Sequence, residues 1–355
     1  MSHTVTIRDV VKSYGDFHAV DHISLKIESG EFFTLLGPSG CGKTTPLRMI
    51  AGFNTIDEGE ILFDDQVINK IPTYQRNIGM VFQNYAVFPH MSVADNVAYG
   101  LKARKIKGKE KEERMLEALR MMRIDNLKDH LPFQMSGGQQ QRIALARAIV
   151  IHPGILLMDE PLSNLDAKLR LEMRTTIRKL QKDLGITTVY VTHDQDEALA
   201  ISDRIAVCNN GRVEQLGDPY EIYNKPANTF VANFIGTSNF IPGKAYDGYL
   251  AVLDQEKIPC RLKDNYQGDI QIAVRPEQVK VTAPEDSGIA ATVTSAVFLG
   301  TRYEYEFTLP NGQVIQINEY NKKREEAYEL NKRVGLKFEL NQMSVFTGDG
   351  REALL

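Results

Sequence analysis

The sequence predicts an α/β domain of layered strands and helices followed by a smaller all-β domain. Three observations lead there. From residue 3 to about residue 217, short apolar strands alternate with helix-length stretches, the pattern of a sheet covered by helices. One strand-to-helix joint, "GPSGCGKTTPLRMIAG" at residues 37–52, has the composition of a phosphate-binding loop. After "FIPG" the texture changes to short alternating segments separated by turn signals such as Asn311-Gly312 and Pro284, which reads as a small β-barrel or sandwich.

In chain order, the N-terminal "MSHTVTIRDVVKSYG" alternates like a strand and lacks the apolar core of a signal peptide. Further strands are expected at 31–36, 78–82, 154–159, 187–192 and 204–208. Helical spacing covers 92–103, 110–122, 137–150, 166–183 and 194–201, and 218–236 reads as a helical connector. The β-rich tail contributes "IQIAVR", "VKVTA", "ATVTSAVFLG", "RYEYEFTL", "QVIQI", "GLKFEL" and "SVFTG". With 355 residues, 43% of them hydrophobic and 25% charged, the chain fits two ordinary globular domains dividing near residue 240. Nothing approaches the ~20 consecutive apolar residues of a membrane span. Cys41, Cys208 and Cys260 are too scattered to suggest a disulfide framework or a zinc site, and a cytosolic chain is expected. A net charge of −4 gives no support for nucleic acid as a partner, and the mixed-sign run at 102–114 reads as a solvated helical face.

The phosphate loop comes first in the chemistry. Gly37, Gly42, Lys43 and Thr44 fit G-x-x-x-x-G-K-[ST] between a buried strand, "GEFFTLLG", and a helix from Lys43 to about Ala51. Successive amides there can converge on an anion beside the positive end of the helix. Gly40 and Gly42 are expected to let the backbone approach phosphate where a Cβ would collide. Lys43 should reach the β- and γ-phosphates, and the Thr44 hydroxyl a magnesium ion. An ordinary glycine-rich turn with a surface lysine is the alternative.

A second anion site follows. In "QMSGGQQQRIALARAIV" (134–150), Ser136 is a good N-cap and Gly137 and Gly138 bare the first turn of a helix. A well-capped helix explains this equally well when taken alone. Yet one nucleotide does not need two such sites in one subunit, whereas two copies facing head to tail could sandwich it. "GILLMDEPLSNLD" then ends a strand in Asp159, placed to hold the metal, and Glu160, placed to polarise an attacking water. "VYVTHD" delivers His193 from another strand end. A lone strand-end histidine is usually structural; in this company it joins a site.

At these residues the chain resembles the ATP-binding subunits of ABC transporters, of the importer type with a C-terminal β-rich TOBE domain. The resemblance covers essentially residues 3–240: "GPSGCGKTT" is similar to Walker A, "MSGGQ" to the signature, "ILLMDE" to Walker B and "SNLD" to the D-loop. It implies a P-loop NTPase fold over 1–240, with a helical subdomain at about 84–135 and a connector at about 218–240, then an OB-like TOBE domain over 241–355. ATP and Mg²⁺ are the implied cofactors. Tyr14 would stack on adenine, and Gly37, Ser39, Gly40, Cys41, Gly42, Lys43, Thr44 and Thr45 would hold the phosphates. Thr44, Gln83 and Asp159 would serve the metal, and Glu160, His193 and Gln83 the hydrolysis. Ser136, Gly137, Gly138 and Gln139 of a second copy would clamp the nucleotide, with Asp166 linking the two sites. Implied partners are that second copy, integral membrane permease subunits contacted through Gln83 and the aromatic "NYAVFPHM", and indirectly a periplasmic or lipid-anchored solute-binding protein. The place is the cytoplasmic face of the membrane, held peripherally.

Two positions depart from the family. Met135 replaces the commoner leucine of the signature, a change of similar volume. Pro46 stands where an aliphatic residue is usual, at what the sequence makes the first position whose amide should bond back along the helix; some loss of stability or ATP affinity is expected. Cargo depends on partners: the wording of 178–207 and 295–307 leans towards ferric iron, with polyamine, phosphonate or sugar as alternatives. A soluble ABC protein acting on ribosomes or DNA, and a non-hydrolysing nucleotide switch, are the rival classes. Against the first stands the single cassette, against the second Glu160.

Overall fold

The structure is a computed structural model that describes residues 2–253, 256–284 and 288–355. It divides into two compact units, Met1–Pro219 and Tyr220–Leu355.

In the first unit, β1 (Val5–Tyr14) and β2 (Phe17–Ile27) form a long hairpin, followed by β3 (Phe32–Leu36) and α1 (Thr44–Ala51). Next come β4 (Glu58–Phe63), β5 (Gln66–Val67), β6 (Ile78–Val81), α2 (Val93–Ala103), α3 (Gly108–Met121) and α4 (Gly137–Ile149). Then β7 (Ile155–Asp159), α5 (Ala167–Leu184), β8 (Thr187–Thr192), α6 (Gln195–Ile201), β9 (Arg204–Asn209) and β10 (Arg212–Gly217) complete it. The central sheet has the order β10-β9-β3-β8-β7-β6, parallel from β9 to β6. Strands buried on both faces read as unbroken apolar runs rather than alternating ones, which is why "FFTLL" and "ILLMD" stand out in the sequence. Alternate residues serve opposite faces. Phe33, Leu35, Leu157 and Val189 face a core shared with α1 and the antiparallel sheet β2-β1-β4-β5. Phe32, Leu156, Met158 and Tyr190 face the core built by the helices from α2 to α5.

The predicted strands and helices of this unit lie within two residues of the observed ones. The sequence reading lacks β2, β4, β5 and β10. Polar residues and register shifts between Ile7 and Ser13 interrupt the alternation of the β1–β2 hairpin, and β10 is only partly buried.

In the second unit, α7 (Pro219–Asn224) and α8 (Thr229–Phe234) precede a series of antiparallel strands. These are β11 (Asn239–Tyr246), β12 (Tyr249–Val252), β13 (Glu256–Pro259), β14 (Gly268–Val274), β15 (Lys280–Thr282) and β16 (Ile289–Phe298). After them run β17 (Arg302–Thr308), β18 (Val314–Tyr320), β19 (Arg333–Lys337) and β20 (Met343–Thr347). Two antiparallel sheets, β13-β12-β11-β14-β20 and β15-β19-β16-β17-β18, share one core in which Ile241, Ile272 and Val345 meet Val293, Phe307 and Leu336. The expected all-β domain is present, with β11 to β13 in addition.

The stretch read as a connector, 218–240, straddles the start of the second unit. The compact unit begins at Tyr220, so the connector belongs with the β-rich part. Arg275, just after the strand Gly268–Val274, ties this connector to the strands. The buried guanidinium donates to the carbonyls of Tyr223, Ala232 and Thr237 at 2.9–3.2 Å and to Ser238 Oγ at 2.6 Å. It also lies 4.4 Å from the centre of the Tyr223 ring, whose hydroxyl donates to Glu277 at 2.6 Å. Composition changes where strands begin; the domain begins where helices are anchored.

Candidate functional site

The phosphate loop joins the C-terminal end of β3 to α1, at the carboxyl edge where parallel sheets bind ligands. Lys43 is the N-cap of α1, and its side chain is buried. The ammonium donates to Pro38 O at 3.1 Å and lies 3.6 Å from Glu160 Oε1. The Cys41 amide donates to Pro38 O and the Thr45 amide to Gly42 O at 3.0 Å. Among the described residues the amides of Gly40, Gly42 and Thr44 donate to no group of the chain, which leaves them as orphan donors for an anion. Ser39 and Gly40 are exposed, while the Cys41 thiol is buried and pushed up by that burial.

The glycines work differently from the expectation. Gly42 has φ +98°, and a Cβ there would strike the carbonyl oxygen of Ala19 in β2, so close packing within the chain excludes a side chain before any phosphate does. Gly40 has φ +83° but open space around it, so only its backbone conformation is demanding. Pro46 is corrected as well. It is the third helical residue, and an amide there has no intrahelical acceptor, so proline forfeits no helix hydrogen bond. Its ring is buried on α1.

Four segments meet at the sheet edge. Asp159 ends β7 opposite Val191, and Leu36 of β3 pairs with Thr192 of β8, so the loop, the carboxylates and His193 leave the sheet at one level. Glu160 is at the centre. Its carboxylate lies 3.1 Å from His193 Nδ1, accepts from Gln83 Nε2 at 3.4 Å, and faces Lys43. Glu160 adopts φ +44°, an uncommon conformation for a side-chain-bearing residue that is held by its amide bonding Val191 O at 3.0 Å. His193 is half exposed.

Asp159 is nearly buried, and burial, partly offset by Arg48 at 3.7 Å and by the Thr44 hydroxyl at 3.3 Å, pushes its carboxyl above the usual range. A desolvated carboxylate beside a hydroxyl is a hard oxygen set that fits Mg²⁺. Among the described residues no group of three His, Cys, Asp or Glu could hold a metal unaided. The ion would depend on triphosphate oxygens, as magnesium commonly does.

The second anion site stands apart. Ser136 caps α4 in a capping box with Gln139, whose Oε1 accepts the Ser136 amide at 2.9 Å. Ser136 and Gly137 are exposed; Gly138 is buried against Leu169. A groove of about 260 Å³ runs beside this tip, lined by Arg123, Arg142 and Leu169 among others. Among the described residues no hydrogen bond or ion pair joins the tip to the phosphate loop. Asp166 N-caps α5 by accepting from the Leu169 amide at 2.9 Å. Tyr14 is exposed, its hydroxyl accepting from Asn54 at 3.1 Å. "NYAVFPHM" divides: Tyr85 is core, Phe88 is half-buried 4.8 Å from the Tyr99 ring, and His90 is exposed.

Several supporting residues escaped the sequence reading. Arg147 of α4 donates to the carbonyls of Tyr85 and Ala86 at 3.0 and 2.7 Å, both residues in the left-handed region just after Gln83. Asn164 donates to Gln83 O at 2.9 Å, and Ser163 Oγ to Glu160 O at 3.0 Å. Arg76 caps the other end of α1 through Met49 O and Ile50 O at 2.7 and 2.9 Å. Their acceptors are carbonyls, which leave no trace in a sequence pattern.

A phosphate-loop motif between β3 and α1, with strand-end carboxylates after β7 and a histidine after β8 gathered at one edge of a parallel sheet, is the arrangement of an ATP-binding cassette. Residues 20–163 match the ABC transporter family and residues 272–346 the TOBE domain. A Fe(3+) ions import ATP-binding protein from Fusobacterium nucleatum is 49% identical over 358 residues, spanning 100% of this chain and 96% of the relative. A spermidine/putrescine import ATP-binding protein from Clostridioides difficile is 44% identical over 315 residues, spanning 88% and 90%. Among solved structures, a dimeric ATP-binding cassette in a post-hydrolysis state bound to ADP and phosphate shares 34% identity with TM-score 0.55, over 61% of this chain and 98% of that one. The CbiO1 protein of Clostridium perfringens, part of an ABC transporter complex, shares 32% with TM-score 0.59, over 62% and 91%. The chain belongs to the ABC transporter family, as an importer-type ATP-binding subunit with a C-terminal TOBE domain. It binds ATP and is an ATPase.

Proposed function

We propose that the chain powers solute import by closing and reopening as a homodimer around two ATP molecules. The observation that carries this reading is Glu160, with Lys43, His193 and Gln83 all within 3.6 Å of its carboxylate. Lys43 and the orphan amides hold the triphosphate. Glu160 takes the role of the group that orients and polarises water, and His193 that of a contact to the γ-phosphate on the opposite side of the same carboxylate. Thr44, Asp159 and Gln83 would hold Mg²⁺, which supplies charge neutralisation across the β- and γ-phosphates. Ser136, Gly137, Gly138 and Gln139, remote from the chain's own loop, take the partner copy's nucleotide, and Asp166 stands between the two sites. An isologous two-fold pair satisfies both anion sites at once.

No helix of the described residues is long and apolar enough to cross a membrane, so in this reading import depends on separate permease subunits met at the cytoplasmic face. The exposed part of "NYAVFPHM" and Tyr99 supports docking there. Ferric iron is the favoured cargo, supported by the Fusobacterium nucleatum iron-import relative that matches the whole chain, with polyamine import second on the strength of the Clostridioides difficile relative. Phosphate release measured in the parent and in Glu160→Gln tests the site: turnover should vanish in the variant while MgATP binding persists. Turnover that survives overturns it. Co-purification of permease and solute-binding subunits, followed by uptake of ferric iron and spermidine, tests the cargo.

A further inference from the structure

Arg170 lies one turn into α5 and touches two segments, the turn just before its own helix and the start of α6. Its Nη2 donates to Leu165 O at 3.2 Å, and its Nη1 to Asp194 Oδ2 at 3.2 Å. Nε is buried without a hydrogen-bond partner and lies 3.7 Å from Glu197 Oε1. Glu197 is 3% exposed and accepts from Tyr190 OH and Thr192 Oγ1, each at 2.8 Å. Asp194 in turn caps α6 by accepting the Glu197 amide at 2.9 Å. His193 therefore sits between two residues, Thr192 and Asp194, that are both tied to one acidic platform.

On the other side, Leu165 closes the turn that starts at Glu160. The Leu165 amide donates to Leu162 O at 3.2 Å, and Ser163 Oγ returns to Glu160 O. One guanidinium thus joins the segment leaving Glu160 to the platform carrying His193. Glu160 does not hold its place by backbone preference, given φ +44°. Its register against His193 depends on such ties.

We propose that Arg170 is a positioning residue for hydrolysis: it sets the 3.1 Å approach of His193 to Glu160 by bridging the Leu165 carbonyl and the Asp194 carboxylate. The proposal deepens the reading of Glu160 and His193 above and rests on it. A planar fork fixes the directions of both bonds, whereas an ammonium on a flexible stem supplies charge and donors without that geometry.

The test uses the full-length chain, with Arg170→Met and Arg170→Lys compared with the parent in steady-state MgATP hydrolysis. Arg170 does not touch the phosphate loop, so KM stays within about twofold while kcat falls about ten- to a hundredfold in the Met variant, the cost of a misplaced catalytic pair. Arg170→Lys recovers part of the loss. Parent-like kcat in a folded Met variant overturns the proposal, and so does a joint shift of kcat and KM, which marks a merely structural ion pair. Should the Met variant fail to fold, Arg170→Lys decides: a lowered kcat at unchanged KM supports the proposal, and the parent's kcat overturns it. Parent turnover that survives Glu160→Gln is a separate failure, of the site itself.

Discussion

Gly42→Ala separates two explanations for a phosphate-loop glycine. If the residue is bare only so that phosphate can approach, alanine leaves the protein unchanged until nucleotide is added. The structure demands more. At φ +98° an L-residue pays a backbone penalty, and the new Cβ falls on the Ala19 carbonyl oxygen, far inside the 3.4 Å where ordinary contact begins. The obstacle is backbone of β2, which cannot swing aside as a side chain could, and Gly211 Cα is already in contact at 3.5 Å. Left-handed strain costs about 1–2 kcal/mol, and forced overpacking about 1–3 kcal/mol more. A total near 3 kcal/mol lowers the melting temperature of a unit this size by about 6–12 °C. Gly40→Ala meets nothing within 4 Å and should lose only the backbone part. Thermal melts of both variants without nucleotide are the assay. A Gly42→Ala melt that matches the parent's, with the loss seen only on adding MgATP, would refute the packing argument.

Pro46→Leu should leave MgATP affinity within about twofold and stability within about 1 kcal/mol, because no helix hydrogen bond is at stake; a tenfold gain in affinity would show that the ring strains the loop. Asp159→Asn should melt higher than the parent near pH 7. Burial raises this carboxyl, so its contribution to stability is whole below the ordinary carboxylate range and lost as pH rises through the raised value, and the gain should close towards about pH 4. Turnover should be lost at every pH. Arg275→Met should lower the melting temperature of the C-terminal unit, since about 3 kcal/mol or more attends loss of a buried, fully bonded charge, and leave ATP turnover intact.

Much of this molecule was legible because its central strands are buried on both faces. "FFTLL", "ILLMD" and "TTVYVT" announce themselves, and each leads straight into the site, to the phosphate loop, to Asp159 and Glu160, and to His193. The phosphate loop, Asp159, Glu160, His193 and the Ser136 cap could be read because spacing and side-chain type encode them directly. What stayed hidden was held by backbone. Arg147 and Arg275 act mainly on carbonyls, and Arg170 on a carbonyl and on carboxylates over twenty residues away, so spacing gives their partners no signature. The reason for Gly42 lies in Ala19, on a strand whose polar face and register shifts hid it as well. Pro46 looked damaging because the helix start was placed early; one residue of shift moves it among the amides that need no acceptor. α7 and α8 read as a helical connector for a similar reason, since Arg275 holds them through the carbonyls of Tyr223 and Ala232.

The central claim is that each nucleotide is shared between two copies of the chain. Light scattering on Glu160→Gln in saturating MgATP tests it most directly. The account requires double the single-chain mass, reverting to the single-chain mass when Ser136→Arg is added although MgATP still binds. Single-chain mass for Glu160→Gln at saturation, or doubling that ignores Ser136→Arg, would contradict it.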